Sequence, residues 1–420
     1  MRTARSLGVA GLVVALAAGP ASAAPSPPPP PRPQIGDAQL RTALDRLDGY
    51  VTDGMKRTGV PGVAVAVVHR DKVVYLKGFG VRQAGRPERI DPDTVFQIAS
   101  VSKPIASTVV AGTFGRAEDW DRHRDLPGFA LKDPWVSAHV TTADLFSHRS
   151  GLPDHAGDLL EDLGYDQSYI LGHLRLEPLA PFRASYAYTN FGMTAAAEAV
   201  ARDHGTTWEK LSQDTLFKPA GMTRTATTYQ AYAARPDRAV THVRADGGGW
   251  TPGPARVPDA QAAAGGVSST ARDLARWMRL QLGDGRLDGR QVVAAAPLER
   301  THVPAIVSQP PATPTARAGF YGLGWNVSYD DAGRLRLSHS GAFALGANTN
   351  VTMLPLEELG IVVLTNAAPA GLADAVALDF FDTAEHGKAT TDWLGLAAGL
   401  YAQEAQAERS PTDYAHPPSG

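Results

Sequence analysis

Leu40, Leu44, Leu47, Val51 and Met55 recur at three- and four-residue intervals, which puts them on one face of a helix that stops at the Gly59-Val60-Pro61-Gly62 break. Beyond that break the period changes. Val63 to Val68 and Val73 to Tyr75 are β-branched runs separated by the polar His69-Arg70-Asp71-Lys72, the pattern of an antiparallel hairpin. From about Ser100 to Met278 helical patterns bounded by proline and glycine dominate. Strand patterns return at Arg334 to Ser338, Ala347 to Leu354 and Leu359 to Leu364, and Ala370 to Phe381 reads as helix. Strands therefore come from both ends of the chain and helices from its middle. This distribution predicts an α/β (α+β) fold, with a central antiparallel β-sheet flanked by helices and an all-helical lobe inserted into it.

The two ends read differently from this domain. Arg2 and Arg5 precede the apolar run Leu7 to Ala18, and Ala21-Ser22-Ala23 has the A-x-A form of a cleavage site, so residues 1–24 are expected to be a signal peptide. The apolar run is too short to span a bilayer. A secreted or periplasmic protein without an integral membrane anchor is the expectation. Residues 25–37 form a proline-rich spacer, residues 38–384 the folded domain, and residues 385–420 a polar, loosely held tail.

Composition narrows the chemistry. The chain has 420 residues, a formal net charge of −3 and no cysteine, which excludes disulfides and thiol catalysis and gives no basic field for nucleic acid. Neither a G-x-S-x-G elbow, an H-E-x-x-H motif nor a P-loop is present, and the histidines have no metal-ligand spacing. What is present is Ser100-Val101-Ser102-Lys103. Residues three apart share a helix face, and a desolvated amine with a lowered pKa can take the proton from a serine hydroxyl. Lys103 is the only one of eight lysines with a serine three residues before it. Downstream lie Tyr188-Thr189-Asn190, the only Y-x-N in the chain, and His339-Ser340-Gly341 directly after the strand pattern Leu335-Arg336-Leu337. A phenol can act as general acid or base, an amide can orient a carbonyl, and a strand edge can offer an N–H to an oxyanion.

In this order the three motifs resemble those of the serine β-lactamase and DD-peptidase superfamily, specifically its class C branch. Asp144 to Pro153, Phe217 to Met222, Ala264 to Leu274 and Tyr321 to Trp325 are similar to further turns of that family. The resemblance covers roughly residues 38–384. It implies a β-lactamase/transpeptidase-like fold and a serine hydrolase without metal or organic cofactor. Ser100 would be the acylated nucleophile, and Lys103 and Tyr188 would share the acid/base work. Asn190 would hold the carbonyl side of a substrate. His339 and Ser340 would face its leaving end or a carboxylate, and Gly341 would keep the strand open. The backbone N–H groups of Ser100 and Ala342 would form the oxyanion hole. His148 and Ser150 would be loop-structuring, with Asp154 and His155 at the rim.

Two departures qualify this. Histidine stands where class C β-lactamases carry lysine, and it is mostly neutral at pH 7, which argues for neutral or weakly anionic substrates. Gly115 to Pro127 also departs from the family's regular Gly…Leu-Asp-Asp-Pro turn. The expectation is a hydrolase of amides or esters, DD-peptidase-like or esterase-like. Its partner would be a small-molecule or peptide substrate, possibly peptidoglycan-derived. A β-lactamase proper and a catalytically silent cell-wall binding or scaffold protein are the alternatives.

Overall fold

A computed structural model describes residues 34–407; the expected signal peptide and most of the proline-rich spacer lie outside them. The central element is an antiparallel sheet of strands β1 (Gly62–His69), β2 (Lys72–Gly80), β3 (Ile306–Gln309), β4 (Gly319–Tyr321), β5 (Asn326–Tyr329), β6 (Leu335–Phe343), β7 (Ala347–Leu354) and β8 (Leu359–Thr365). Their order is β2-β1-β8-β7-β6-β5-β4-β3, so the first hairpin pairs with the last strand, Val63 opposite Thr365 and Val67 opposite Ile361. The sheet is thus built from both ends of the chain, as the strand patterns predict. The short strands β3 to β5 carry little hydrophobic alternation, and the sequence reading passes over them.

Both faces of the central strands are covered. Every residue of β7 and β8 is buried, which is why they read as near-continuous apolar runs. One face packs under α1 (Asp37–Thr58), α6 (Leu372–His386) and α7 (Trp393–Ala407). Leu40, Leu47 and Val51 of α1 join Val63, Val65, Val363 and Phe380 in that cluster. The other face meets the helical lobe, whose relevant members are α2 (Ser102–Thr113), α3 (Asp158–Asp162), α4 (Asn190–Asp203) and α5 (Ala271–Leu282). None of the described helices is long and apolar enough to cross a membrane.

Two further segments pack against the rest of the fold. The Gly115 to Pro127 stretch is well anchored: Trp120 is fully buried, packs edge-on against Phe114 and Phe146, and donates its indole N–H to Pro297 O at 2.8 Å. Beyond His386, where a loose tail is expected, α7 folds back on α6 with Leu394 and Ala397 buried.

Candidate active site

The site forms where α2 begins. The residue before Ser100, Ala99, is held at φ 48°, a left-handed conformation that costs a non-glycine residue on the order of 1 kcal/mol or more. This turn presents Ser100 at the mouth of the cleft while Lys103, one helical turn on, is fully buried. Lys103 Nζ donates to Ser100 Oγ at 3.1 Å, to Asn190 Oδ1 at 2.7 Å and to the carbonyl of Ala264 at 3.1 Å. Burial pushes the amine down to about 7, with Asp158 acting weakly in the opposite sense. The three acceptors favour the ammonium, and the desolvation of the pocket outweighs them to leave the amine at about 7.

Tyr188 lies over this amine, with Lys103 Nζ 4.4 Å from its ring centroid, and its hydroxyl interacts with Ser100. Desolvation raises the phenol above its ordinary range, so it stays protonated. Its main chain is fixed from both sides: Tyr188 N–H donates to Asp154 Oδ1 at 2.7 Å, and His155 N–H donates to Tyr188 O at 2.8 Å. His148 is buried behind it, accepts the Thr189 N–H at 3.1 Å on Nδ1, and is held neutral by burial. Ser150 Oγ accepts from Leu152 N–H at 3.4 Å, so His148 and Ser150 brace loops and share no proton path.

Asn190 is more constrained than a free carbonyl-orienting amide. Its Oδ1 takes the Lys103 bond and its Nδ2 donates to Asp158 Oδ2 at 2.9 Å, which also pairs with His155 Nδ1 at 2.7 Å. Asp158 and the Ala264 carbonyl thus belong to the site; Asp158 lies outside every motif, and Ala264 opens one of the family-like turns, which does not mark its carbonyl.

The strand side explains Gly341 and corrects the reading of His339. A Cβ on Gly341 would lie 2.3 Å from Ile98 O and 3.0 Å from Ser100 N, so only glycine lets β6 approach the nucleophile turn this closely. Thr349, opposite Gly341 in the register, donates its hydroxyl to Ile98 O at 2.8 Å and ties the same turn to β7. β5 pairs with β6 only as far as Ser338, so His339 to Phe343 have β7 on one side and the cleft region on the other. The arrangement brings Ala342 and Ser100 together at the cleft. His339, however, points to the opposite face from Ser340. It is buried, its Nε2 meets Tyr321 Oη at 3.0 Å, its Nδ1 meets its neighbour's carbonyl at 2.7 Å, and it does not line the cleft. Burial, with Lys103 close by, pushes its pKa down to about 3. Its place is thus behind the cleft lining, and burial favours the neutral imidazole.

The cleft itself, about 840 Å³, runs from Ser100, Tyr188 and Asn190 to Ser340 and Ala342, and is walled by Leu396, Leu400 and Tyr401 of α7. Among the described residues no cluster of His, Asp and Glu has the arrangement of a metal site.

An antiparallel sheet closed by helices over one face, with a serine–lysine pair at the junction with a helical lobe, defines the class of protein. The chain belongs to the Beta-lactamase family, whose members are serine hydrolases and whose model matches residues 47–380. It is 29% identical over 371 residues to "Penicillin-binding protein 4" of Amycolatopsis lactamdurans, across 85% of this chain and 91% of that one. It is 24% identical to "Unguisins hydrolase ungD" of Aspergillus violaceofuscus over 76% of this chain, and the match spans 60% of that protein's length. Among solved structures, the octameric penicillin-binding protein homologue from Pyrococcus abyssi has the same fold, with a TM-score of 0.69 at 20% identity over 82% of this chain and 78% of that one.

Proposed function

We propose that this chain is an exported serine hydrolase that cleaves an amide or ester bond through an acyl-enzyme on Ser100. The observation that carries the reading is the buried Lys103 amine, 3.1 Å from Ser100 Oγ with a pKa of about 7. Neutral Lys103 takes the hydroxyl proton as Ser100 Oγ attacks the substrate carbonyl. The N–H groups of Ser100 and Ala342 stabilise the resulting oxyanion. Protonated Tyr188 delivers its proton to the departing amine or alkoxide and regains one from Lys103. Water then attacks the ester by the reverse proton path and frees Ser100. Asn190, held by Asp158, fixes the lysine, and no cofactor is required by any of these steps. Gly341 sets the distance between strand and nucleophile, and Ser340 contacts the part of the substrate farther along the strand.

The intact serine, lysine and tyrosine argue against a silent scaffold, and a buried neutral histidine in the third motif argues against dedicated β-lactamase activity. Export rests on the signal-like pattern of residues 1–24. Intact-mass spectrometry after a fluorophosphonate probe tests the nucleophile: one adduct is expected, abolished by Ser100→Ala. Labelling that survives this substitution overturns the proposal.

A further inference from the structure

Beside Ser340 the cleft carries an acidic side chain, Asp374. Ser340 and Ala342 lie on one face of β6, with Asn350 and Asn348 opposite them in the register. The donors of this face converge on Asp374, in the first turn of α6. Ser340 Oγ donates to Asp374 Oδ1 at 2.5 Å and Asn350 Nδ2 donates to the same oxygen at 2.8 Å, while the Tyr401 hydroxyl donates to Oδ2 at 2.8 Å. These three donors are neutral, so none of them supplies a counter-charge to the carboxylate. Among the described residues Asp374 forms no salt bridge.

Asp158, Glu161 and Asp162 also line the cleft, where the basic groups are Arg256 and His155, the latter paired with Asp158 at 2.7 Å. That arginine is already committed to Glu161 Oε2 at 2.5 Å, whereas Glu161 Oε1 is buried without a partner. The Glu161 side chain is only 5% exposed. A carboxylate arriving beside Ser340 would meet a hydroxyl whose proton is already directed at Asp374, and a like charge behind it. An ammonium would meet a carboxyl group that has no cationic partner among the described residues. Half-exposed Leu396 and Leu400, with Phe343, offer an apolar surface for the remainder of such a ligand.

Resting on the reading that this cleft hydrolyses amides or esters at Ser100, we infer that its substrate bears a cationic group, an amine or guanidinium, which sits beside Ser340 with Asp374 as counter-ion. This reverses the sequence-based expectation of a neutral or weakly anionic substrate.

The test separates binding from turnover. Affinities of three probes of matched size, benzylamine, benzyl alcohol and benzoate, are measured by titration against Ser100→Ala protein at pH 7. Benzylamine should bind on the order of five- to tenfold more tightly than benzyl alcohol, the range of a partly desolvated ion pair, with benzoate weakest. About 0.5 M salt should erode the preference by screening, and Asp374→Asn should remove it. If benzylamine gains nothing over its counterparts, undetectable binding of all three included, the inference is wrong. If the preference survives Asp374→Asn, the assignment to Asp374 is wrong. Hydrolysis of p-nitrophenyl acetate by wild type and Ser100→Ala runs in parallel. Serine-dependent turnover without charge preference overturns this inference alone, and charge preference without serine-dependent turnover overturns the hydrolase reading alone.

Discussion

Lys103 and His339 show how burial, more than residue type, decides what a side chain does. Lysine would ordinarily be a permanent cation, yet its desolvated position turns it into a base near pH 7. Histidine would ordinarily titrate near neutrality, yet His339 is held neutral with a pKa near 3. Its imidazole signals in a pH-resolved NMR titration should therefore stay flat between about pH 5 and 8, the window around its ordinary value. A midpoint near 6.5 would return His339 to the role of a titrating cation. The sequence already contained the reason for this correction. Side chains alternate along a strand, so His339 and Ser340 could not both face the substrate, and the burial of the neighbouring positions Leu337 and Gly341 indicates which one turns inward. Ser100, Lys103, Tyr188 and Asn190 were legible because their spacing survives in the linear chain. Asp158, Asp374 and the Ala264 carbonyl were not, since their roles exist only once distant segments meet.

Among the elements, β6 and α7 determine the shape of the cleft. A methyl group on Gly341 has no space between Ile98 O and Ser100 N, so Gly341→Ala must push the strand off the nucleophile turn. Turnover is expected to fall by on the order of 100-fold, as small misplacements of reacting groups do, with a stability loss of about 1–3 kcal/mol from overpacking. Steady-state kinetics and urea unfolding measure the two effects, and unchanged kcat would mean that the strand does not set the oxyanion geometry. Helix α7 was missed because its apolar positions, Leu394, Ala397, Leu400 and Tyr401, are embedded in a C-terminal region whose end is polar and proline-containing. Their three- and four-residue spacing was nonetheless a helical pattern. Ending the chain after Lys388 should cost on the order of 3 kcal/mol, mainly through loss of the buried Leu394 and Ala397 contacts and the Tyr401–Asp374 bond. A urea midpoint equal to that of the full chain would contradict this packing.

In the molecule as a whole, a sheet closed by the first hairpin and the last strand carries the nucleophile turn on one face and α1, α6 and α7 on the other. The strands at both ends and the helical middle were readable from their periods. The three short strands β3 to β5 were not, because few of their residues are buried and alternation is weak. This frame holds Lys103 dry and close to Ser100, and the central claim is that the neutral amine activates the serine. The most direct measurement is the rate of Ser100 acylation by a neutral ester against pH, followed by intact mass. Deprotonation of the base is required, so the rate should rise with pH through a single limb centred near 7 and then level off. In Asp158→Asn the limb should move to lower pH, because the aspartate charge that favours the lysine cation is gone. A limb centred near 10, the ordinary range of a lysine, or a rate independent of pH would contradict the account.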